Sequence, residues 1–569
     1  MKWLTFLRHH PPLGWDAKKQ LIKSTKVRLI ALCSFLSLGG FLFGYNLVAM
    51  ASVMVLPNFI SHFRIVEELQ VYTIIITTMM LGAFVGALLS GPLADFLGRR
   101  GLALLGSLLC MLGNLLLVAA DEMAKIYAGR TIVGISVGML SMVIPLYITE
   151  LATPSYRGRL IAFHQLCIVL GISVDFWITF GCTRLETSRS WRIPLGVQLI
   201  PNVIYAFGLF FVPQSPRYLI QKHRDKEAIR TLAMIRGNGS TRHRDVLMEF
   251  AEIKQRICFE ERYTKKGYKE LFRSSSDNNL RRVILSCACM AFQQLIGANT
   301  LMLYSPVIFR AIGLNGHVAT LFANAISGLV IVASTILPVC YVDRWRRRNG
   351  MIAGALLCAV WMAVLSAISA VYGSRFSGLQ DFYDDISGQS TTLFLREPRA
   401  SSIAFFVVFY IFLATYGCLW GPLAWIFSAE LFPNGVRSKG LSIATATNWF
   451  FTFGVVELSP IAFNSIQWVV FVIYCVFCIC IAIIVYLYFP ETKGMSLEEI
   501  DLLFSANFKS YDPNLPHPRA ASETLEQIDQ RYIKGRRVLQ FGHDYPRTLS
   551  PEPPTTLPEN IIRNPSPIL

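Results

Sequence analysis

Long apolar runs separated by short charged segments dominate the chain from residue 28 to residue 489. Each run comes close to the ~20 residues a helix needs to cross the hydrocarbon core of a bilayer. In the first half the predicted spans are 28–50, 71–92, 101–120, 127–149, 160–181 and 193–212. In the second half they are 283–309, 318–341, 350–371, 402–426, 441–463 and 467–489. The pattern predicts an all-α membrane protein of twelve transmembrane helices in two six-helix halves, 28–213 and 283–489. A polar tail (1–27) precedes them. Between them, 214–282 is rich in charge, with amphipathic helical stretches near 226–235 and 246–261. An outer loop over 371–400 is long, acidic through Asp381, Asp384 and Asp385, and has no clear period. The tail over 490–569 carries PEPPTT and NPSP, and from about residue 505 has the composition of a disordered segment.

Composition agrees: 53% of residues are hydrophobic and only 16% charged, too apolar for several soluble domains. The net charge of +17 does not mark a nucleic-acid-binding protein, because the basic residues sit in alternate loops rather than on one domain. Arg99, Arg100, Arg157, Arg159, Arg344–Arg348, Arg437 and Lys439 fall on one side, and the positive-inside rule places that side and both termini in the cytosol. The first 24 residues lack an apolar core, so no cleavable signal is expected and the first span should direct insertion. Most of the thirteen cysteines lie in apolar spans, which speaks against a disulfide framework, and Cys475, Cys478 and Cys480 have no histidine near enough in sequence to suggest metal binding. No metal or cofactor is expected. The sequon at Asn238 falls on the cytosolic side and should be unused. Walker A, HExxH and nucleophile–base motifs are absent, so an enzyme is not expected.

The charged segments repeat. GPLADFLGRR (Gly91–Arg100) sets Asp95 four residues before Arg99, close enough on a helical turn to meet, and DRWRRR sets Asp343 four before Arg347. Glu150 and Arg157 are seven apart, as are Glu430 and Arg437. One match alone would equally suit a membrane-flanking cationic turn. Both patterns recurring in the same order indicate a duplicated unit, the organisation of many secondary transporters. The eight residues read as an inward gate whose pairs close the cytosolic side; static ion pairing at the membrane edge is the alternative.

Together with FQQLIGANTLMLYSP (Phe292–Pro306), WGPLAW (Trp420–Trp425), Asn448-Trp449 and PETKGMSLEEI (Pro490–Ile500), these segments give the chain a resemblance to the sugar porters of the major facilitator superfamily, fungal type, over residues 26–500. The resemblance implies transport by alternating access, a plasma-membrane location, a monomeric functional unit and a cytosolic helical bundle that latches the halves. PQSPR (Pro213–Arg217) has Gln214 where the family usually has glutamate, which puts one latch ion pair in doubt. Hydrogen-bonding side chains within spans are costly unless they face a cavity. Gln165, Gln293, Gln294, Asn299, Trp425, Asn448 and Trp449 are therefore candidate substrate contacts, each of which alone could instead be an interhelical bond or anchor. Gly297 would let span seven unwind beside them. Against the family pattern, Leu303 replaces a tyrosine, Ile331 stands where hexose carriers often have asparagine, and Arg346 replaces a glycine.

Proton-coupled members usually read FGYD in span one; this chain reads Phe43-Gly44-Tyr45-Asn46. Asparagine cannot titrate against the fourth-span arginine, Arg130, and facilitative hexose carriers share it, which points to uniport. Asp175 in span five and Glu457 in span eleven keep open a proton-coupled sugar, polyol or quinate symporter, since intramembrane carboxylates are often relays. A transporter-like nutrient sensor is the other rival. The expected partners are a monosaccharide or related polar solute and the lipid bilayer.

Overall fold

The computed structural model describes residues 24–65, 69–263, 267–272, 278–305, 308–309, 317–372, 399–433, 435–495, 500 and 503–504. Residues 373–398 of the acidic loop expected over 371–400, together with Pro306, Arg310 and the tail from 505, lie outside the described residues.

Helices are the regular structure of the described residues, and the twelve spans appear in the predicted order. Span one is Thr25–Val53, span four Met123–Leu151, span five Pro154–Cys182, span eight His317–Tyr341, span nine Arg347–Tyr372, span eleven Arg437–Ile466 and span twelve Val469–Tyr488. Spans two and three form one helical run, Leu69–Val118, broken only at Gly98, whose φ of 77° and ψ of 172° no helix contains. Span six is interrupted at Gln198 between Arg189–Val197 and Leu199–Leu209, where Pro201 cannot donate to the Val197 carbonyl. Span ten breaks at Leu419 between Arg399–Cys418 and Trp420–Glu430, three residues before Pro422. Span seven breaks as expected at Gly297, with φ of 88°, between Asn279–Leu295 and Ala298–Leu303.

Small residues bring some spans almost backbone to backbone, the usual device where lipid supplies no hydrophobic drive between helices. A methyl at Gly44 would lie 1.8 Å from the Ile168 carbonyl oxygen, and one at Gly171 2.2 Å from that of Phe41, so spans one and five cross in direct contact. Gly86, Gly134 and Gly138 join spans two and four in the same way.

The segment between the halves holds the expected helices, Asp225–Arg236 and Arg244–Tyr263, with a short one over Pro216–Gln221 before them. Leu219, Ile220, Ala228, Ile253 and Ile257 form a small core of their own. Arg236 pairs with Glu249 at 2.9 Å and donates to the Leu151 carbonyl at 2.8 Å, fastening the segment to the end of span four. Gln214 has a use that a glutamate could not fill as well. Its amide accepts from the Arg100 backbone N–H (3.3 Å) and donates to the Leu97 carbonyl (3.4 Å), bridging the break at Gly98. A carboxylate has no donor for the second bond. Gly98→Ala is expected to lower stability by about 1–3 kcal/mol, because its backbone is in the left-handed half of φ and its Cβ would collide with Gln214 and Tyr218. A melting temperature equal to the parent's in detergent would refute this.

Candidate functional site

A cavity lies between the halves, lined by residues of spans one, five, seven, eight, ten and eleven. All seven candidate contacts line it: Gln165 from span five, Gln293, Gln294 and Asn299 from the two pieces of span seven, Trp425 from span ten, and Asn448 and Trp449 from span eleven. The break in span seven explains part of this convergence. It sets Asn299 beside Gln294, and the Asn299 amide donates to Gln294 Oε1 at 2.6 Å. Gln293 is held by two exchanges: its Nε2 donates to the carbonyls of Trp420 (3.3 Å) and Gly421 (3.1 Å), and its Oε1 accepts from Asn448 Nδ2 at 2.9 Å. Both acceptors on span ten lie next to the break at Leu419. Gln165 differs from the rest: it is buried, yet its Oε1 has no partner among the described residues. A ligand hydroxyl could donate to this oxygen, and a buried acceptor gains from such a partner.

The indoles divide their work. Trp449 Nε1 donates to Ser141 Oγ on span four at 3.0 Å, so only its ring face is left for the cavity. Phe43 packs against both Trp449 and Trp425, with ring centroids 5.2 and 6.4 Å away. Sequence reasoning missed Phe43, Tyr416 and Thr452, which also line the cavity. Phe43 belongs to the Phe43–Asn46 motif, whose reading rests on its asparagine alone; Tyr416 and Thr452 carry no signal beyond being polar within a span.

The charged residues gather at one end of the spans, with one change of partner. Arg99 does not meet Asp95. The turn at Gly98 removes the four-residue helical geometry, and Arg99 forms a buried pair with Glu150 at 2.7 Å. Asp95 instead reaches the other half, accepting from Ser438 Oγ at 2.6 Å with Lys439 Nζ 3.5 Å away. In the second half Asp343 does approach Arg347, at 3.4 Å, and also pairs with Arg159 of the first half at 3.0 Å. Glu430 accepts from Thr492 Oγ1 at 3.2 Å and lies in the field of Arg347 and Arg157. Arg437 donates to the Phe432 carbonyl at 2.9 Å. Ser438, Lys439, Arg159 and Thr492 thus complete a set of which sequence spacing revealed only the repeated members.

Arg130 is buried and donates to two backbone carbonyls, Asn46 at 3.1 Å and Ile75 at 3.2 Å. The Asn46 side chain turns to the Leu42 carbonyl, 2.8 Å away. No carboxylate pairs with Arg130 among the described residues. Asp175 lies elsewhere, buried between spans one and five: Ser52 Oγ donates to its Oδ2 at 2.8 Å, and its Oδ1 has no partner among the described residues. Among the described residues no group of histidine, cysteine, aspartate and glutamate could hold a metal ion.

Residues 32–504 match the family described as sugar (and other) transporter. A high-affinity glucose transporter of Kluyveromyces lactis is 31% identical over 486 residues, covering 84% of this chain and 86% of its own. A quinate permease of Neurospora africana is 30% identical, covering 84% of this chain and 89% of its own. Among solved structures, the proton:xylose symporter XylE bound to 6-bromo-6-deoxy-D-glucose superposes with a TM-score of 0.71 at 23% identity, over 84% of this chain and all of that one.

Proposed function

The chain belongs to the sugar transporter family, and from that premise we propose that it carries a monosaccharide or related polar solute across the membrane by alternating access, down the solute's own gradient. The observation that carries this reading is the gathering of five amide side chains and two indoles around one cavity between the halves, with the Gln165 carbonyl unmet. Amides both donate and accept, as a ring of hydroxyls requires, and indole faces suit the apolar face of a pyranose. In this reading Gln165, Gln294, Asn299 and Trp425 hold the solute, Gln293 and Asn448 fix each other's amides, and Trp449 offers a ring face. The halves 28–213 and 283–489 rock about the site. Asp95, Arg99, Glu150, Arg157, Asp343, Arg347, Glu430 and Arg437 close the inner side and part when it opens. The location is the plasma membrane with both termini in the cytosol, and one chain is the working unit.

Uptake of radiolabelled monosaccharides in a transporter-deficient host tests this reading. Saturable uptake is expected, and Asn299→Ala should weaken apparent affinity by about 1–3 kcal/mol at unchanged surface level, because Gln294 Oε1 loses its donor and the solute loses a partner. An unchanged KM in that variant removes Asn299 from the site. Binding without flux would favour a sensor.

Uniport is supported by Arg130 facing backbone carbonyls rather than a carboxylate. Reconstituted protein is expected to show counterflow but no accumulation under an inward proton gradient. One observation favours the second reading, a proton symporter: the buried Asp175 carboxylate has an unmet oxygen. Accumulation driven by the gradient, and lost in Asp175→Asn, would establish that alternative.

A further inference from the structure

The two copies of the charged turn are not equally occupied. In the first, Arg99 and Arg100 are both buried. Arg99 holds Glu150, and Arg100 Nη1 donates to the Val212 carbonyl, just past span six, at 3.3 Å. In the second copy Arg347 and Arg348 repeat those roles. Arg347 is buried beside Asp343, and Arg348 Nη2 donates to the Tyr486 carbonyl near the end of span twelve. The second copy also carries two further arginines, Arg344 where the first has Phe96 and Arg346 where it has Gly98. Both are exposed, and among the described residues neither side chain has a hydrogen bond or an ion pair.

The surroundings of these two arginines are layered. Lys493 Nζ donates to the Arg344 carbonyl at 2.7 Å, adding a third exposed cation. The acids close by are engaged: Asp343 with Arg347 and Arg159, and Glu491 with the backbone N–H groups of Arg347 (2.8 Å) and Arg348 (3.3 Å). Next come exposed tyrosines. Arg344 Cζ lies 5.7 Å from the Tyr341 ring centroid, and Arg348 Cζ lies 5.2 Å from that of Tyr486. About one turn further into spans eight and twelve, Leu337 and Ile483 present exposed apolar side chains. Cation, phenol and hydrocarbon follow one another as headgroup, interface and acyl chain do in a leaflet. A soluble anion would use only the first layer. Guanidinium groups suit phosphate oxygens in particular, since their N–H donors form a fork.

We propose that this end of spans eight, nine and twelve binds the headgroup of an anionic phospholipid, with Arg344 and Arg346 as its ligands. The site lies apart from the cavity between the halves, and the inference holds whichever solute is carried. The function proposed above places this end in the cytosol, the side on which the leaflet is anionic.

The test is titration of the delipidated full-length protein in detergent with phosphatidylserine, read as bound lipid by native mass spectrometry. Phosphatidylcholine and inorganic phosphate are the comparison arms. Phosphatidylserine is expected to bind at least about tenfold tighter than phosphatidylcholine, and millimolar phosphate should not displace it. Arg344→Gln and Arg346→Gln should each weaken phosphatidylserine binding about fivefold, the scale of one basic residue at an anionic surface. The double variant should approach the phosphatidylcholine value. Arg230→Gln with Arg242→Gln removes two exposed charges from the segment between the halves and should leave binding unchanged. Equal binding of the two lipids, or an unaltered affinity in the Arg344/Arg346 double variant, would overturn the proposal. Displacement by phosphate would show a site for a soluble anion instead. Should the double variant fail to fold, a photoactivatable phosphatidylserine on the parent chain decides: labelling within 341–348 and 486–493 supports the site, and labelling confined to other segments refutes it.

Discussion

Glu150→Ala is expected to destabilise the protein by about 3–5 kcal/mol, the penalty for leaving one member of a buried ion pair without its partner. Arg99 and Glu150 are 3% and 2% exposed in their side chains, and Arg99 reaches Glu150 through both Nε (3.1 Å) and Nη2 (2.7 Å). Removal of the carboxylate strands a guanidinium at the end of span three, where little water can reach it. The loss should appear as a marked fall in melting temperature in detergent and in the amount of protein at the cell surface. The double variant Arg99→Ala with Glu150→Ala should be less damaged than Glu150→Ala alone, because no orphaned charge remains. A single variant that melts with its parent, or a double variant worse than the sum of the two singles, would show that the pair does not hold the spans together.

Gly44→Val should have an effect of similar size by a different route. Even the first carbon of the new side chain would need the space of the Ile168 carbonyl oxygen, 1.8 Å away, and that backbone cannot swing aside as a side chain could. Spans one and five must separate along their crossing, a larger disturbance than the ~1–3 kcal/mol of ordinary core overpacking. Gly454 on span eleven is the matched control, since nothing lies within 4 Å of the methyl that Gly454→Ala would add. That change should be neutral or slightly stabilising, as alanine favours a helix interior over glycine by up to ~1 kcal/mol. Normal folding and transport in Gly44→Val would mean that the two helices are not in contact in the working protein.

The architecture was legible because hydrophobic length is dictated by the bilayer and charge by the loops, and both are written as runs rather than as isolated residues. The break at Gly297 was legible for a related reason: a glycine inside a polar stretch of an apolar span is a local signal. The candidate contacts could be found from the cost of burying an amide in lipid, which singles out Gln165 as readily as Asn448. What spacing could not reveal was choice of partner. Asp95 and Arg99 look like a helical pair, but the φ of 77° at Gly98 turns them toward different neighbours, one across the halves and one toward span four. The backbone contact of spans one and five was equally hidden. Gly44 and Gly171 are 127 positions apart and ordinary in composition, and only the crossing of the helices gives either its importance.

Trp449 occupies two places at once, with its ring bordering the cavity and its Nε1 bonded to Ser141 of the opposite half. A solute that stacks on that ring therefore disturbs a group that ties the halves together. For a passive carrier, microscopic reversibility limits what such a tie can do. Loosening it lowers one barrier that entry and exit share, so at equal concentrations both unidirectional fluxes change by the same factor. The bond can thus govern how quickly the two compartments equalise, but never the concentrations at which they come to rest.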